Sequence, residues 1–436
     1  MGHLRQLKHE YRALARRLER SPLPLPEPDE LRAWQGWREI LEILFTPEQA
    51  DLCSRLPLRS TTLAELEARL GIAREPLRAR LDAMCDKGIV MDLVSPKTGE
   101  VKYLLAPPLG GFLEFSMMRA KDTIPKKRMA EALEAYLHGA EGFARAVLAG
   151  DTRFGRTLAH ETALGDELPL VLDWERASAV VESARAIAVS LCFCRHSAEH
   201  LGRRCDAPMD NCLSLGAGAE FVIRRGFGRR VERAEALDIL VRARESGLVQ
   251  LADNVRERPA FLCNCCGCCC EQLRAINRFD LPAVSPSGFV PARDEKACKG
   301  CSRCARACPI AAITLVPRRV GAQRRSEIAP RLDLDRCIGC GLCVHACRRR
   351  ALRLVRRERQ PLVPQNGLER VVRMALARGR LAELVFDQSD GRGARFLEAV
   401  LGALGRLGST QRALANEQLR SRFVRWTMDR MRPPAA

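Results

Sequence analysis

Two runs of cysteines with the same spacing lie near the C-terminal third of the chain. Each run has the pattern C-x2-C-x2-C-x3-C; they are Cys298, Cys301, Cys304 and Cys308, then Cys337, Cys340, Cys343 and Cys347. Cysteine thiolates at this spacing are typical of a segment that binds two 4Fe-4S clusters. A pair of zinc sites or a disulfide knot is the alternative, and the repetition of the whole pattern argues against both.

The fourth cysteine of each run is expected to bind the cluster of the other run. Cysteines at i, i+3 and i+6 can reach three corners of one cube, and the fourth then crosses to the second cube. The first predicted ligand set is Cys298, Cys301, Cys304 and Cys347. The second predicted ligand set is Cys337, Cys340, Cys343 and Cys308.

Ten further cysteines form a block without regular spacing. They are Cys192, Cys194, Cys205, Cys212, Cys263, Cys265, Cys266, Cys268, Cys269 and Cys270. Unligated thiols at this density would be an oxidation hazard, so we expect ligands of an additional iron–sulfur cluster. A zinc site is the alternative, because thiolates suit both metals. The spacing does not decide whether the first four or the last six bind the metal, and one thiol could be reactive.

The composition favours a multidomain protein of the reducing cytoplasm. The chain has 436 residues, of which 47% are hydrophobic, enough for three or more cores. It shows no secretory signal pattern and no run of about 18 apolar residues, so we expect no membrane span. Without export, disulfides are not expected and the cysteines are interpreted as metal ligands.

The formal net charge of +19 suits an acidic partner, nucleic acid or a membrane surface. Of the 72 basic residues only 9 are Lys, and so strong a preference for Arg can also reflect codon composition. Charge therefore indicates association rather than fold. Arginines surround the two cysteine runs and favour an acidic redox partner protein; they are Arg303, Arg306, Arg348, Arg349 and Arg350.

We expect an α+β multidomain architecture in six segments. They are an N-terminal helix with a Pro-rich linker (1–28), a winged-helix-like domain (29–106), a helical connector (107–180), an α/β cysteine-rich domain (181–284), a two-cluster module (285–358) and a helical C-terminal region (359–436). In the cysteine-rich segment, AIAVSL and FLCNC are predicted strands, and EALDILVRARESGL and EQLRAINRF are predicted helices. In the tail, a packed helix face is expected at Phe396, Leu397, Val400, Leu401, Leu404 and Leu407.

The winged-helix prediction depends on the order of local signals. Capping boxes begin two helices at Thr46 and Thr62, and the second of them ends at Gly71. A third helix runs from about Arg74 to Lys87 and stops at Gly88, and a hairpin with strands at 89–94 and 101–105 follows. In a DNA-binding domain of this kind the third helix enters the major groove. It would offer Arg74, Arg78 and Arg80, with Lys97 and Lys102 on the wing. Many such domains only dock proteins, so DNA is a possible partner but not the favoured one.

The motifs resemble those of a group of 4Fe-4S dicluster-domain proteins of anaerobic bacteria and archaea. The resemblance is carried by CFCRHSAEHLGRRCDAPMDNC, by FLCNCCGCC and by the two bacterial ferredoxin-type runs, and it spans roughly residues 40–355. It implies a cytoplasmic iron–sulfur protein of electron transfer with no known substrate. The chain departs from the ferredoxin pattern at Arg348, where a proline often follows the fourth cysteine, as Pro309 does in the first run.

These observations predict a redox relay or redox subunit with two 4Fe-4S clusters. An iron–sulfur oxidoreductase with a reactive centre in CFCRH and CNCCGCCC is one alternative. A redox-sensing DNA-binding regulator is the other. The chain has no G-x4-G-K-S/T loop and no G-x-G-x-x-G after a strand, so flavin or nicotinamide binding is not supported.

Overall fold

A computed structural model describes residues 7–165, 171–320, 325–378 and 380. The chain forms two compact units. Of the described residues, the first unit comprises 7–152, 224–226, 364–378 and 380, and the second comprises 153–165, 171–223, 227–320 and 325–363. In the described ranges, no helix has both the length and the apolar character needed to cross a membrane.

The first unit contains three amphipathic helices, of which the second packs on the third. They are α1 (His9–Glu19), α2 (Leu31–Leu44) and, later in the chain, α7 (Lys126–Gly139). Tyr11 and Leu14 of α1 are buried as the helical spacing predicts. Gly36 lets α2 approach α7 closely, since a Cβ there would lie 2.6 Å from the Ala132 carbonyl oxygen.

The next elements of the first unit follow the predicted order of helices and hairpin. They are α3 (Pro47–Arg55), β1 (Thr61–Thr62), α4 (Leu63–Leu70), α5 (Arg74–Lys87), β2 (Val90–Val94) and β3 (Val101–Leu105). Both predicted capping boxes form, with Thr46 on Gln49 and Thr62 on Glu65. The strands form an antiparallel sheet in the order β1-β3-β2.

Two cysteines of this region are core residues. Cys53 and Cys85 are buried, and the Cys53 Sγ lies 3.8 Å from the Met84 Sδ. Burial raises the pKa of both thiols well above the ordinary range. The unit also contains α6 (Leu113–Phe115) and α15 (Gly367–Ala377). The tail face predicted from Phe396 onward lies outside the described residues.

The cysteine-rich part of the second unit is built on a six-stranded sheet. Its strands are β4 (Gly155–Leu158), β5 (Ile187–Leu191), β6 (Asp210–Leu215), β7 (Arg229–Arg230), β8 (Val249–Asp253) and β9 (Phe261–Cys265). The order is β4-β8-β9-β6-β5-β7, and every pairing is antiparallel. The expected α/β domain is thus corrected to α+β, because neighbouring strands of this sheet run antiparallel, whereas the sheet of an α/β domain is mainly parallel.

The helices of this region are α8 (Ala177–Ser183), α9 (Phe193–His200), α10 (Gly216–Arg224), α11 (Arg233–Glu245) and α12 (Glu271–Phe279). One face of the sheet packs on α8 and α11. Ile187 and Val189, two residues apart on β5, join Val181 and Ile239 in this core. The alternation of strand side chains leaves Ala188 and Ser190 on the opposite face.

The second unit also contains the two-cluster module as an internal repeat. Its elements are β10 (Phe289–Arg293), α13 (Arg303–Ala307), β11 (Ile313–Val320), β12 (Arg325–Leu332), α14 (Leu342–His345) and β13 (Leu352–Arg356). β10 pairs with β13 and β11 with β12, all antiparallel. Each cysteine run thus leads through a short helix to a strand, as a repeated fold requires, and the mixed α+β class expected for the chain is confirmed.

Candidate iron–sulfur and thiolate sites

The eight regularly spaced cysteines surround two separate cavities. Cys298, Cys301, Cys304 and Cys347 line one of them. Cys308, Cys337, Cys340 and Cys343 line the other. Each cavity therefore brings three sulfurs of one run together with the fourth of the other, the arrangement that the spacing predicts.

The backbone repeats itself around the two runs. Gly300 and Gly339, each just before a second cysteine, have φ of 65° and 70°. Ser302 and Gly341, at the next equivalent positions, have φ of 61° and 86°. A non-glycine residue in this left-handed region costs roughly 1–2 kcal/mol, so its surroundings must hold it there.

The turn after the fourth cysteine also repeats. Ala311 has φ of 53° and Arg350 has φ of 51°, three residues after Cys308 and Cys347 respectively. The first turn contains Pro309 and the second has Arg348 in its place. The departure from the proline pattern therefore leaves this backbone conformation unchanged.

The two cavities differ in their surroundings. The first is bordered by Lys299, Arg303 and Arg349, and Cys301 is exposed. The second has an apolar border that includes Ile310 and Leu332, and none of its four cysteines is exposed. A 4Fe-4S cluster in the second cavity would be shielded from water more than one in the first.

Burial and backbone amides set the thiol chemistry of the second cavity. Desolvation raises the pKa of Cys340 to about 12 and also raises that of Cys337. Backbone N–H groups donate to two sulfurs, Ala312 to Cys308 at 3.2 Å and Gly339 to Cys337 at 3.4 Å. Such N–H···S bonds stabilise negative charge on a ligated sulfur and tune cluster potential.

The ten other cysteines fall into two groups, and neither group equals either set considered from the sequence. Six of them form a ring in which each sulfur interacts with two neighbours; in order they are Cys192, Cys212, Cys263, Cys265, Cys270 and Cys194. No three sulfurs of this ring form a group within 4.8 Å of one another. The six ring sulfurs are therefore not arranged as ligands of one ion.

Hydrogen bonds make alternate members of the six-cysteine ring acceptors. Cys192 and Cys270 each accept from both neighbours, which holds their pKa well below the ordinary value. Bonds from Cys212 and Cys265 lower the pKa of Cys263 to about 6. The three donors have raised pKa values for the same reason, with burial adding to it.

The remaining four cysteines form a compact group that we call the four-cysteine site. Cys205, Cys266, Cys268 and Cys269 place all their sulfurs within 4.8 Å of one another. Cys205 belongs to the loop after α9, whereas the other three lie between β9 and α12. A hydrogen bond from Cys269, with the nearby charge of Arg195, lowers the pKa of Cys266 to about 5.

Arg195 is a buried cation beside both groups, and sequence reasoning missed it. Its side chain donates to the Asn211 Oδ1 at 2.9 Å and to the Asn264 carbonyl oxygen at 2.8 Å. Burial opposes its charge, but Cys192 and Cys266 outweigh burial and hold the pKa above the ordinary range. The only available signal was its place in CFCRH.

The neighbouring His196 lies 3.2 Å from His200, Nε2 to Nε2.

The cysteine-rich loop contacts the two-cluster module at Pro309. A Cβ on Gly267 would collide with the Pro309 carbonyl oxygen, so only glycine fits there. The Asn277 Nδ2 donates to the carbonyl oxygens of Gly267 at 3.1 Å and Pro309 at 2.9 Å. The loop of the four-cysteine site is thus fixed against the residue that follows a sulfur of the second cavity.

Residues 297–357 match the family described as 4Fe-4S dicluster domain. This match supports the binding of 4Fe-4S clusters by the chain and the ferredoxin type of the two runs. The search of curated proteins finds no matching protein. The search of solved structures finds no matching structure.

Proposed function

We propose that the two-cluster module is a redox relay that exchanges electrons with the cysteine-rich domain beside it. The observation that carries the proposal is the contact between Gly267 and Pro309, which joins the two cysteine-rich parts of the second unit. The family match supports cluster binding and the electron transfer that goes with it. When bound, 4Fe-4S clusters accept and release single electrons.

In this proposal the ligands of the two clusters are the cysteines around the two cavities. The first set is Cys298, Cys301, Cys304 and Cys347, and the second is Cys308, Cys337, Cys340 and Cys343. Each set contains three cysteines of one run and the fourth cysteine of the other, so both runs contribute ligands to both clusters. The exposed Cys301 marks the side open to a redox partner protein, and the shielded second set lies toward the cysteine-rich loop.

Basic side chains of the module tune the relay and select its partner. Arg303 and Arg349 border the first cavity, and Arg348 and Arg350 are exposed nearby in sequence. Positive charge stabilises the more negative, reduced form of a cluster, so the potentials are raised relative to those of acidic ferredoxins. The same charges favour an acidic partner protein and make the association sensitive to salt.

A redox titration of the anaerobically purified chain, followed by electron paramagnetic resonance, tests the relay. We expect two 4Fe-4S signals, with Cys301→Ser removing the first and Cys340→Ser removing the second. Reduction by an acidic electron donor should slow markedly as salt is added. Two clusters that titrate below ordinary acidic ferredoxins, or reduction that is insensitive to salt, would contradict the role assigned to the arginines.

The second candidate is an oxidoreductase whose reactive centre is the six-cysteine ring. The number of ring sulfurs favours it, because one 4Fe-4S cube takes four cysteines and six are present. At least two thiols beside the buried Arg195 would then be free to react. Alkylation of the cluster-loaded protein, read by peptide mass spectrometry, distinguishes the candidates: labelling of ring cysteines supports the enzyme, and protection of all six opposes it.

A further inference from the structure

The four-cysteine site has the dimensions of a ligand set for one metal ion. Its sulfur–sulfur distances include 3.6 Å for Cys205–Cys266, 3.8 Å for Cys205–Cys269 and 3.7 Å for Cys268–Cys269. A tetrahedral ion with metal–sulfur bonds of about 2.3 Å holds its sulfurs about 3.8 Å apart. These three of the six sulfur–sulfur distances therefore match the edges of such a tetrahedron, and all six lie within 4.8 Å.

The same distances disfavour a 4Fe-4S cube at this position. In a cube each cysteine binds a different iron, so the four sulfurs point outward from separate corners and lie farther apart than around one ion. The two cluster cavities illustrate this, since neither contains three ligand atoms within 4.8 Å of one another. Disulfides are excluded too, because a sulfur–sulfur bond is about 2.05 Å long and all four cysteines are free.

We propose that Cys205, Cys266, Cys268 and Cys269 bind a single tetrahedral ion, Zn²⁺ or Fe²⁺, separate from the clusters of the relay. Four thiolates leave no open position, so the ion is structural rather than catalytic. It cross-links the loop after α9 to the loop that contains Gly267. Because Gly267 lies against Pro309, the ion also stiffens the contact between the cysteine-rich domain and the two-cluster module.

The position of Cys268 makes the site open to exchange. Cys268 is exposed, whereas Cys269 is buried and Cys205 and Cys266 are half-buried. A chelator can therefore approach the ion from one side. Cobalt can replace zinc in such a site, and its thiolate complexes absorb visible light.

Metal analysis of the full anaerobically purified chain tests the proposal. We expect one zinc, or one iron beyond those of the clusters, per wild-type chain. Cys205→Ser and Cys268→Ser should each lose this one ion while the cluster signals in electron paramagnetic resonance remain. The control Cys53→Ala, a buried thiol of the first unit, should keep it. Chain grown with cobalt should show tetrahedral thiolate absorption that both serine variants lose.

Two results would overturn the proposal. One is an unchanged metal content in both Cys205→Ser and Cys268→Ser. The other is the loss of four irons at once, which would indicate a cube. A chain that holds the single ion but no clusters would contradict the relay and leave this site intact, so the two proposals fail separately.

Discussion

The two cysteine-rich parts of the second unit hold their sulfurs at different separations. In the two-cluster module the sulfurs surround two cavities without any compact group, whereas the four-cysteine site brings four sulfurs within 4.8 Å. Sulfur separation is set by the metal that the ligands have to surround, one ion or a cube of four. The comparison teaches that cysteine count alone does not specify a cofactor, while the backbone that spaces the cysteines does.

The largest loss of stability is expected at the second cavity, where the cysteines are widely spaced and also the most buried. In the proposed relay Cys340 is a ligand of the second cluster and is only 8% exposed. Cys340→Ser should therefore cost the second cavity about four irons and lower the stability of the chain by more than about 4 kcal/mol. Cys301→Ser, at an exposed sulfur, should lose its cluster with a smaller change in unfolding free energy. Iron analysis and denaturant unfolding measure both; equal destabilisation by the two variants would contradict the difference in shielding.

Substitution of the turn glycines tests whether the backbone conformation determines the wide spacing of the sulfurs around the cavities. Gly339 has φ of 70°, and a Cβ there would collide with the Phe289 carbonyl oxygen. Gly339→Ala should therefore destabilise the chain by about 3 kcal/mol and impair the second cluster. Gly71 has φ of 66° with open space around it, so Gly71→Ala should cost only about 1 kcal/mol. Thermal unfolding and iron content compare the two variants. Equal losses of stability in Gly339→Ala and Gly71→Ala would contradict a role for the close contact with Phe289.

The contact between the two regions can be weakened without touching a sulfur. Asn277→Ala deletes the donor to the Gly267 and Pro309 carbonyl oxygens, at a cost of about 1 kcal/mol. Hydrogen exchange should then increase in residues 266–270 and around Pro309. The neighbouring exposed variant Arg278→Ala serves as the control. If both variants exchange alike, Asn277 does not fix the loop.

The smallest expected effect is a gain in stability. Ser302 has φ of 61° at the position where the second run has Gly341. Ser302→Gly should relieve the strain and stabilise the chain by about 1 kcal/mol. Ser302→Ala keeps the strain and loses the same bond from Arg306, so it is the matched control. A calorimetric scan compares the two, and no difference in Tm would show that the left-handed residue is not strained.

Regular spacing explains what could be predicted from the sequence. The pattern C-x2-C-x2-C-x3-C is local and is repeated, so it predicted which sulfurs share a cavity before any tertiary contact was known. Strands over AIAVSL and FLCNC were found because apolar runs bounded by turns have a short-range signal, and both capping boxes were found for the same reason.

The division of the other ten cysteines could not be predicted, because it depends on long-range pairing. Cys205 meets Cys266 across 61 residues, and this contact is made by loops rather than by a periodic element. Only one local clue was available: Cys263 and Cys265 are two apart on β9 and so share a face of the sheet. The antiparallel pairing of the sheet, which corrected the expected α/β class, is also long-range. The sequence of a single strand does not show in which direction its neighbours run.

The neighbours Cys269 and Cys270 serve different groups, the four-cysteine site and the six-cysteine ring. A single peptide bond therefore separates a cysteine of the proposed ion site from a cysteine of the ring. An ion that bound Cys270 in place of Cys269 would take a sulfur from the ring. Metal content measured when zinc is supplied before or after iron would reveal such an error.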